Sequence, residues 1–76
     1  MKDMFFEEYR NLGLSIAYFR RAKGITQQQL ADLLDINCQT VSRMENANTG
    51  ISADMLFALS KALDIKLGDL FAHANL

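Results

Sequence analysis

The stretch ITQQQLADLLDINCQTVSRMEN, residues 25–46, contains two short helical patterns with almost nothing between them. The first pattern begins with TQQQ, a capping box in which the Thr26 hydroxyl can accept from the Gln29 amide while the Gln29 side chain reaches back. Its apolar face is formed by Leu30, Leu33 and Leu34. We therefore predict a helix that is capped by Thr26 and ends near Leu34, with Asp35 in a sharp turn.

The second pattern starts at Asn37, a residue type that favours the N-cap position of a helix. Val41 and Met44 are spaced to point inward, and Ile36 is expected to plug the turn. Because so few apolar positions hold this helix, most of its surface is predicted to face outward. The outward residues are Cys38, Gln39, Thr40, Ser42, Arg43 and Asn46.

The rest of the chain adds three more helical patterns. Apolar spacing predicts a helix over residues 3–22, in which Gly13 costs about 1 kcal/mol relative to alanine and allows a bend or a restart. Gly24 suits the C′ position that follows it. Ser52 can cap a fourth helix, and a short fifth helix runs from Leu67 to Ala72. The prediction is an all-α fold of five short helices around one core.

The composition fits a single small domain. The chain has 76 residues, half of them apolar, which is normal for a globular core. No apolar run is long enough to span a bilayer, and the start MKDMFFEEYR lacks the apolar region of a signal peptide, so we expect a cytoplasmic protein without a membrane partner. The single cysteine, Cys38, excludes an internal disulfide and a cysteine-based zinc site. We expect no metal, no cofactor and no small-molecule ligand.

The charge balance alone does not indicate nucleic acid, because the formal net charge is −1 and the pI is about 5.6. The charges are unevenly placed, however. Arg20, Arg21 and Lys23 cluster within four positions, and Arg43 stands alone further on. Acids dominate residues 3–8 and 54–69. An acidic protein with a locally basic face therefore stays open.

From Leu12 to Phe71 the sequence resembles, without gaps, the Cro/cI-type helix-turn-helix domain, also called the xenobiotic-response-element (XRE) family. The family pattern is carried by Leu12, Gly13, Ile16, Arg20, Thr26, Gln27, Leu30, Ala31, Val41, Ser42 and Glu45, with ALDIKLGDLF as the closing segment. Each piece is weak alone, but their order and spacing together are specific. The resemblance implies a compact five-helix, lambda-repressor-like DNA-binding domain over residues 12–72, preceded by an extension of residues 1–11 and followed by a tail of residues 73–76.

The resemblance also implies roles for particular residues. It places the third helix on DNA and pairs Arg20 with Glu45 in a structural ion pair. It makes Gln27 a phosphate contact, and it makes Gln39 and Arg43 base-reading residues. The residues expected at DNA are Gln27, Gln28, Asn37, Cys38, Gln39, Thr40, Arg43, Asn46 and Asn48. The last two would approach a second stretch of the DNA backbone.

The residue types suit this role. Arginine can bond guanine O6 and N7 in a fork and glutamine can bond adenine N6 and N7, and each such pair contributes about 1–3 kcal/mol of discrimination. Gln39 and Arg43 are four residues apart, so both lie on one face of a helix. Each also has a plainer interpretation as a solvated surface side chain. Cys38 lies at a helix N-terminus, which can activate a thiolate, so a redox role is its alternative to a place beside DNA. This alternative is less favoured, because small surface residues are common at that position. His73 is alone near the end of the chain, without partners for metal binding or catalysis.

Three positions depart from the family pattern. Asp35 stands where the family usually has glycine at positive φ, a conformation that aspartate tolerates better than most residues. Lys66 replaces the serine that usually caps the fifth helix, so a weaker start is expected there. The residues before Leu12, among them Met4 and Phe6, are not accounted for by the family pattern.

These observations lead to a predicted function and an alternative. The first is a sequence-specific transcriptional regulator that binds double-stranded DNA as a homodimer, with its two reading helices about 34 Å apart on a palindromic site. The alternative is a protein-interaction module of the same fold, such as an antitoxin, antirepressor or adaptor, which the acidic pI favours slightly. An enzyme is not expected, because the sequence offers no catalytic constellation of nucleophile, base and phosphate-binding loop.

Overall fold

The computed structural model describes residues 3–76, which form one turn of 3-10 helix followed by five α-helices. The turn spans Asp3–Phe5, and the helices span Phe6–Lys23 (α1), Gln27–Leu34 (α2), Cys38–Glu45 (α3), Ala53–Ala62 (α4) and Leu67–His73 (α5). No strand occurs between residues 3 and 76. The predicted all-α fold of five helices is confirmed. Of the predicted extension, Met1 and Lys2 lie outside the described residues, and residues 6–11 are the first turns of α1.

The junction between α1 and α2 follows the capping signals in the sequence. Gly24 has φ 80°, and the amides of Gly24 and Ile25 donate to the carbonyls of Arg21 and Arg20 at 2.9 and 3.3 Å. Both halves of the predicted capping box then form at the start of α2. The Gln29 amide donates to the Thr26 hydroxyl at 3.0 Å, and the Thr26 amide donates to the Gln29 side chain at 2.8 Å.

The turn between α2 and α3 depends on Asp35, which has φ 57°. This left-handed conformation, expected from the departure at that position, lets the amide of Asp35 donate to the Asp32 carbonyl at 3.3 Å. The amide of Ile36 donates to the Ala31 carbonyl at 3.0 Å, and the Ile36 side chain packs against the core as predicted. The turn therefore separates α2 from α3 by only three residues, and α3 begins directly against α2.

The core contains side chains from all five helices. Ile16, Leu30, Val41, Leu59 and Leu70 are fully buried within it. As predicted, Val41 and Met44 are the inward residues of α3. Among residues 3–76, none of the helices combines the length and the apolar character needed to cross a bilayer.

Gly13 lies where α1 crosses the end of α3. A Cβ atom built on Gly13 would lie 2.6 Å from the carbonyl oxygens of both Met44 and Glu45. Only glycine allows the two helices to approach this closely. The helix propensity of glycine allows a bend or a restart at Gly13, but α1 continues through it without a break.

The last helix, α5, is tied to α1 by the fully buried Ser15, whose hydroxyl donates to the Leu70 carbonyl at 2.7 Å. The start of α5 lacks a side-chain cap, as expected from Lys66, and only the reverse bond forms, from the Lys66 amide to Asp69 Oδ2 at 3.3 Å. The helix ends at His73, one residue later than predicted. His73 stacks on Tyr18 with their ring centroids 4.0 Å apart.

Candidate nucleic-acid interface

The start of α3 is fixed by Asn37 and Thr40. The Asn37 Oδ1 atom accepts from the Thr40 amide at 2.9 Å and from the Thr40 hydroxyl at 3.0 Å. Asn37 is exposed and Thr40 is half-buried. Because the Thr40 hydroxyl proton is donated to Asn37, this hydroxyl can only accept a hydrogen bond from a ligand. The side-chain NH2 group of Asn37 remains available as a donor. Two of the expected DNA-contacting residues therefore also hold the helix start.

Gln39 and Arg43 form the exposed face of α3. They lie one helical turn apart, and both side chains are exposed. Within residues 3–76, neither side chain makes a hydrogen bond or an ion pair. The donors of Arg43 and the donor–acceptor pair of Gln39 are therefore available to a ligand together, on one face of α3.

The other side chains predicted to point outward from α3 are less free. Cys38 is half-buried and packs against the core, so its predicted outward orientation is only partly correct. Ser42 is also half-buried. The exposed side-chain amide of Asn46 donates to the Ser42 carbonyl at 2.8 Å and to the Ser42 hydroxyl at 3.3 Å. The side-chain amide of Asn46 is thus used in hydrogen bonds to Ser42 within the last turn of α3. Asn48 is exposed in the loop that follows.

Arg20 and Glu45, the two residues that the resemblance pairs, form a buried ion pair between α1 and α3. Arg20 Nε donates to Glu45 Oε2 at 2.6 Å, and Nη2 donates to Oε1 at 3.2 Å. Arg20 Nη1 also donates to the Ile25 carbonyl at 3.0 Å, so the guanidinium joins the end of α1, the connection to α2 and the end of α3. Two parallel bonds to one carboxylate fix the direction as well as the distance between the helices.

The Gln27 side chain makes a contact that the sequence does not predict. Its side-chain Nε2 donates to Glu45 Oε1 at 2.9 Å, so the side chain expected at a phosphate is bonded to the buried ion pair. Gln28, also expected at DNA, is exposed and donates to Asp32 Oδ1 at 3.0 Å along α2. The Gln27 contact spans 18 positions in the sequence, and no local signal could have shown it. The Gln27 side chain therefore holds α2 against the end of α3 in this structure.

Charged residues of opposite sign lie at the two ends of α2. Arg21 and Lys23 are exposed at the end of α1, a few residues before α2 begins, and Asp32 and Asp35 are exposed at its far end. Positive charge is therefore concentrated near the N-terminus of α2, where unpaired backbone amides and the helix dipole also favour an anion. The described residues contain no group of three or more histidine, cysteine, aspartate or glutamate side chains placed to share a metal ion.

The sequence of this chain is similar to those of known helix-turn-helix proteins. The helix-turn-helix family model HTH_3 matches residues 16–70. A competence pilus inhibition repressor of Acinetobacter baylyi is 34% identical over 65 residues, covering 86% of this chain and 59% of that protein. An uncharacterized HTH-type transcriptional regulator of Rickettsia conorii is 35% identical over 60 residues, covering 79% and 48%. The chain thus spans about half the length of these two relatives.

Two solved structures have the same arrangement of helices. The clp gene regulator ClgR of Corynebacterium glutamicum superposes with a TM-score of 0.86 at 25% identity, over 90% of this chain and 88% of that one. The restriction-modification controller protein C.AhdI of Aeromonas hydrophila superposes with a TM-score of 0.85 at 28% identity, over 90% and 99%.

Proposed function

Because the chain belongs to the helix-turn-helix family of the Cro/cI (XRE) type, we propose that it is a sequence-specific DNA-binding transcriptional regulator acting in the cytoplasm. The observation that carries the proposal is the outer face of α3, where Gln39 and Arg43 are exposed one turn apart without intramolecular partners among residues 3–76. Such a helix fits the major groove, where each base pair presents a distinct set of donors and acceptors. The protein then acts by occupying its site, with no catalytic step.

The backbone of DNA is met at two places under this proposal. At the first, the amides at the start of α2 face a phosphate, with Lys23 at the end of α1 supplying positive charge. The bond from Gln27 to Glu45 orients α2 against α3, so the amide groups and the reading face are held in one fixed relation. At the second, the loop that carries the exposed Asn48 approaches the neighbouring stretch of backbone.

The partner is a palindromic operator bound by a homodimer. One α3 of eight residues reaches only a few base pairs, so a single copy provides little discrimination. Two copies related by a two-fold axis would place their α3 helices about 34 Å apart on successive major grooves. The overall charge of −1 implies few phosphate contacts and therefore a shallow dependence of affinity on salt.

Selection from a randomised duplex library, followed by gel-shift assays, tests this function. We expect the wild type to select a palindrome, and we expect Gln39→Ala and Arg43→Ala each to relax selection at one position of each half-site by about 1–3 kcal/mol. Lys61→Ala, which removes an exposed charge from α4, is the matched control and should leave the selected sequence unchanged. If the wild type selects no sequence, or if both α3 variants select the wild-type site, the proposal is wrong.

A protein-interaction module of the same fold is the second candidate. It is favoured by the large apolar side chains that remain exposed away from α3, among them Leu33 on α2 at 58% and Phe57 on α4 at 52%. A wild type that binds no duplex but is held by a protein partner through these residues would support this candidate. Loss of partner binding in Leu33→Ser or Phe57→Ser, with Arg43→Ala unaffected, would identify the surface.

A further inference from the structure

The side of α1 that faces away from the core carries a stripe of exposed residues. Leu14 is 53% exposed and Tyr18 is 50% exposed, whereas Ile16, on the opposite side of the helix, is fully buried. At about 100° per residue, these two and three more exposed residues fall within a strip about 80° wide. This outer stripe consists of Glu7, Arg10, Leu14, Tyr18 and Arg21.

The order of residues in the outer stripe is symmetric about Leu14. The steps along it are three, four, four and three residues, so the positions before Leu14 mirror those after it. If a second copy of α1 lies antiparallel across the stripe, with a two-fold axis through Leu14, then Glu7 faces the partner's Arg21. In the same register Arg10 lies at the same level along the helix pair as the partner's Tyr18, within the reach of its long side chain, and Leu14 meets the partner's Leu14.

Each of these encounters is chemically favourable. Glu7 and Arg21 have opposite charges, and the pair occurs twice because the interface is isologous. Arg10 over the ring of Tyr18 is a cation–π arrangement, and it also occurs twice. More broadly, the first turn of α1 carries the exposed Glu7 and Glu8 while its last turn carries the exposed Arg21 and Lys23, so an antiparallel pair aligns acids with bases. A parallel pair would place like charges together.

The ring of Tyr18 is already held in place in the single copy. His73 of α5 stacks on it at 4.0 Å with an interplanar angle of 17°, and Phe19 meets it edge-on at 5.1 Å. An aromatic side chain that is fixed before binding loses little conformational freedom when a partner covers it. Rigid, exposed tyrosines of this kind are typical anchors of protein interfaces.

We propose that two copies of this chain associate through the outer stripe of α1, antiparallel, with the two-fold axis at Leu14. The inference rests on the homodimer of the proposed function and names the surface that forms it. The competing surface is an apolar groove of about 250 Å³ at the other side of the molecule's N-terminal region, lined by Phe5, Glu8, Tyr9, Leu12, Ile51, Leu56, Phe71 and Leu76. That groove offers one acid and no base, so self-association through it would depend on apolar burial alone, whereas the charges of the outer stripe also specify an orientation.

Sedimentation equilibrium over a range of protein concentrations is the first test. We expect the wild type to be a dimer and Leu14→Glu to be a monomer, because the substitution places two carboxylates together at the two-fold axis. Leu33→Glu, which changes an equally exposed leucine on α2, is the matched control and should remain a dimer. A monomeric wild type at every concentration, or a dimer that Leu14→Glu leaves intact, overturns the proposal; the latter result would direct attention to the apolar groove.

Charge exchange tests the antiparallel register independently of Leu14. Glu7→Arg and Arg21→Glu should each weaken association by about tenfold, since each replaces two ion pairs with two repulsive contacts. The double variant, which restores opposite charges with the order reversed, should recover the wild-type dissociation constant. Additive losses in the double variant would exclude the proposed register. Far-UV circular dichroism of each variant controls for loss of helix.

Binding to DNA half-sites separates this proposal from the proposed function. Leu14→Glu should bind a single half-site as the wild-type subunit does, while losing its preference for the full palindrome. A wild-type dimer that is disrupted by Leu14→Glu but binds no duplex would support the interface and refute DNA binding. A wild type that binds half-sites and palindromes alike, and never associates, would do the opposite.

Discussion

The side-chain amide of Gln27 donates to Oε1 of Glu45 at 2.9 Å, and this same oxygen also accepts from Arg20. The first residue of α2, the last turn of α1 and the last residue of α3 therefore meet at one carboxylate. This contact sets the relation between the two helices of the motif.

Removing the Gln27 side chain should loosen α2 against α3. Because the lost bond is half-buried and has a charged acceptor, Gln27→Ala is expected to lower the free energy of unfolding by about 1–2 kcal/mol. Gln28→Ala, which removes an exposed bond within α2, should cost only about 0.3 kcal/mol. Urea unfolding followed by circular dichroism measures both. Equal losses in the two variants would show that the Gln27 bond has no special role.

Breaking the buried ion pair should be far more costly. Glu45→Ala leaves the Arg20 guanidinium buried without its carboxylate, which typically costs about 3–5 kcal/mol. For so small a domain this approaches the whole free energy of unfolding. The double variant Arg20→Met with Glu45→Leu should regain much of the loss, because no charge is left buried. A single variant that melts at the wild-type temperature would contradict this account.

The two glycines in α1 and α5 should respond oppositely to alanine. Gly13→Ala places a Cβ atom against two backbone oxygens that cannot rotate away, so α1 and α3 must separate, at a cost of about 1–3 kcal/mol. At Gly68 nothing lies within 4 Å of the added atom, so Gly68→Ala should stabilise α5 by up to about 1 kcal/mol. Thermal unfolding measures both shifts, and shifts of the same sign would count against the close crossing.

Asp35 should be the position at which glycine improves the turn. A non-glycine residue at φ 57° carries a steric cost that glycine does not. We expect Asp35→Gly to raise the free energy of unfolding by about 0.5–1 kcal/mol and Asp35→Val to lower it by more. Chemical unfolding of the two variants checks the sign. A destabilised glycine variant would mean that the aspartate side chain contributes something beyond tolerating the turn.

Features governed by neighbouring residues could be predicted from the sequence. The capping box at Thr26, the left-handed Gly24 and the buried positions of α3 all depend on interactions within a few residues or on helical spacing. The left-handed Asp35 is instead expected from the family resemblance. The outcome at Gly13 could not be anticipated in the same way, because its importance arises from a backbone that passes close to it in space. The bond from Gln27 to Glu45 has the same origin.

In the candidate site, too, the exposed positions could be predicted from the sequence, whereas the contacts of individual side chains could not. The family resemblance points to Gln39 and Arg43 as base-reading residues, helical spacing predicts that they share one face, and the structure leaves both exposed. Cys38 and Asn46 were expected to face outward without restriction. Their actual partners, the core and the Ser42 carbonyl, depend on how deeply α3 is set against α1 and on how it ends. Helical periodicity gives the direction of a side chain but not the depth of the helix.

The eight-residue α3 keeps its two tasks on different residues. Val41, Met44 and Glu45 fasten it to the rest of the protein, while Gln39 and Arg43 make no contact on which the fold depends. Under the proposed function, exchanging these two side chains would therefore change the preferred DNA sequence without redesigning the scaffold. If the proposed function holds, variation at these positions would change which genes respond, while the buried contacts that orient α3 stayed the same.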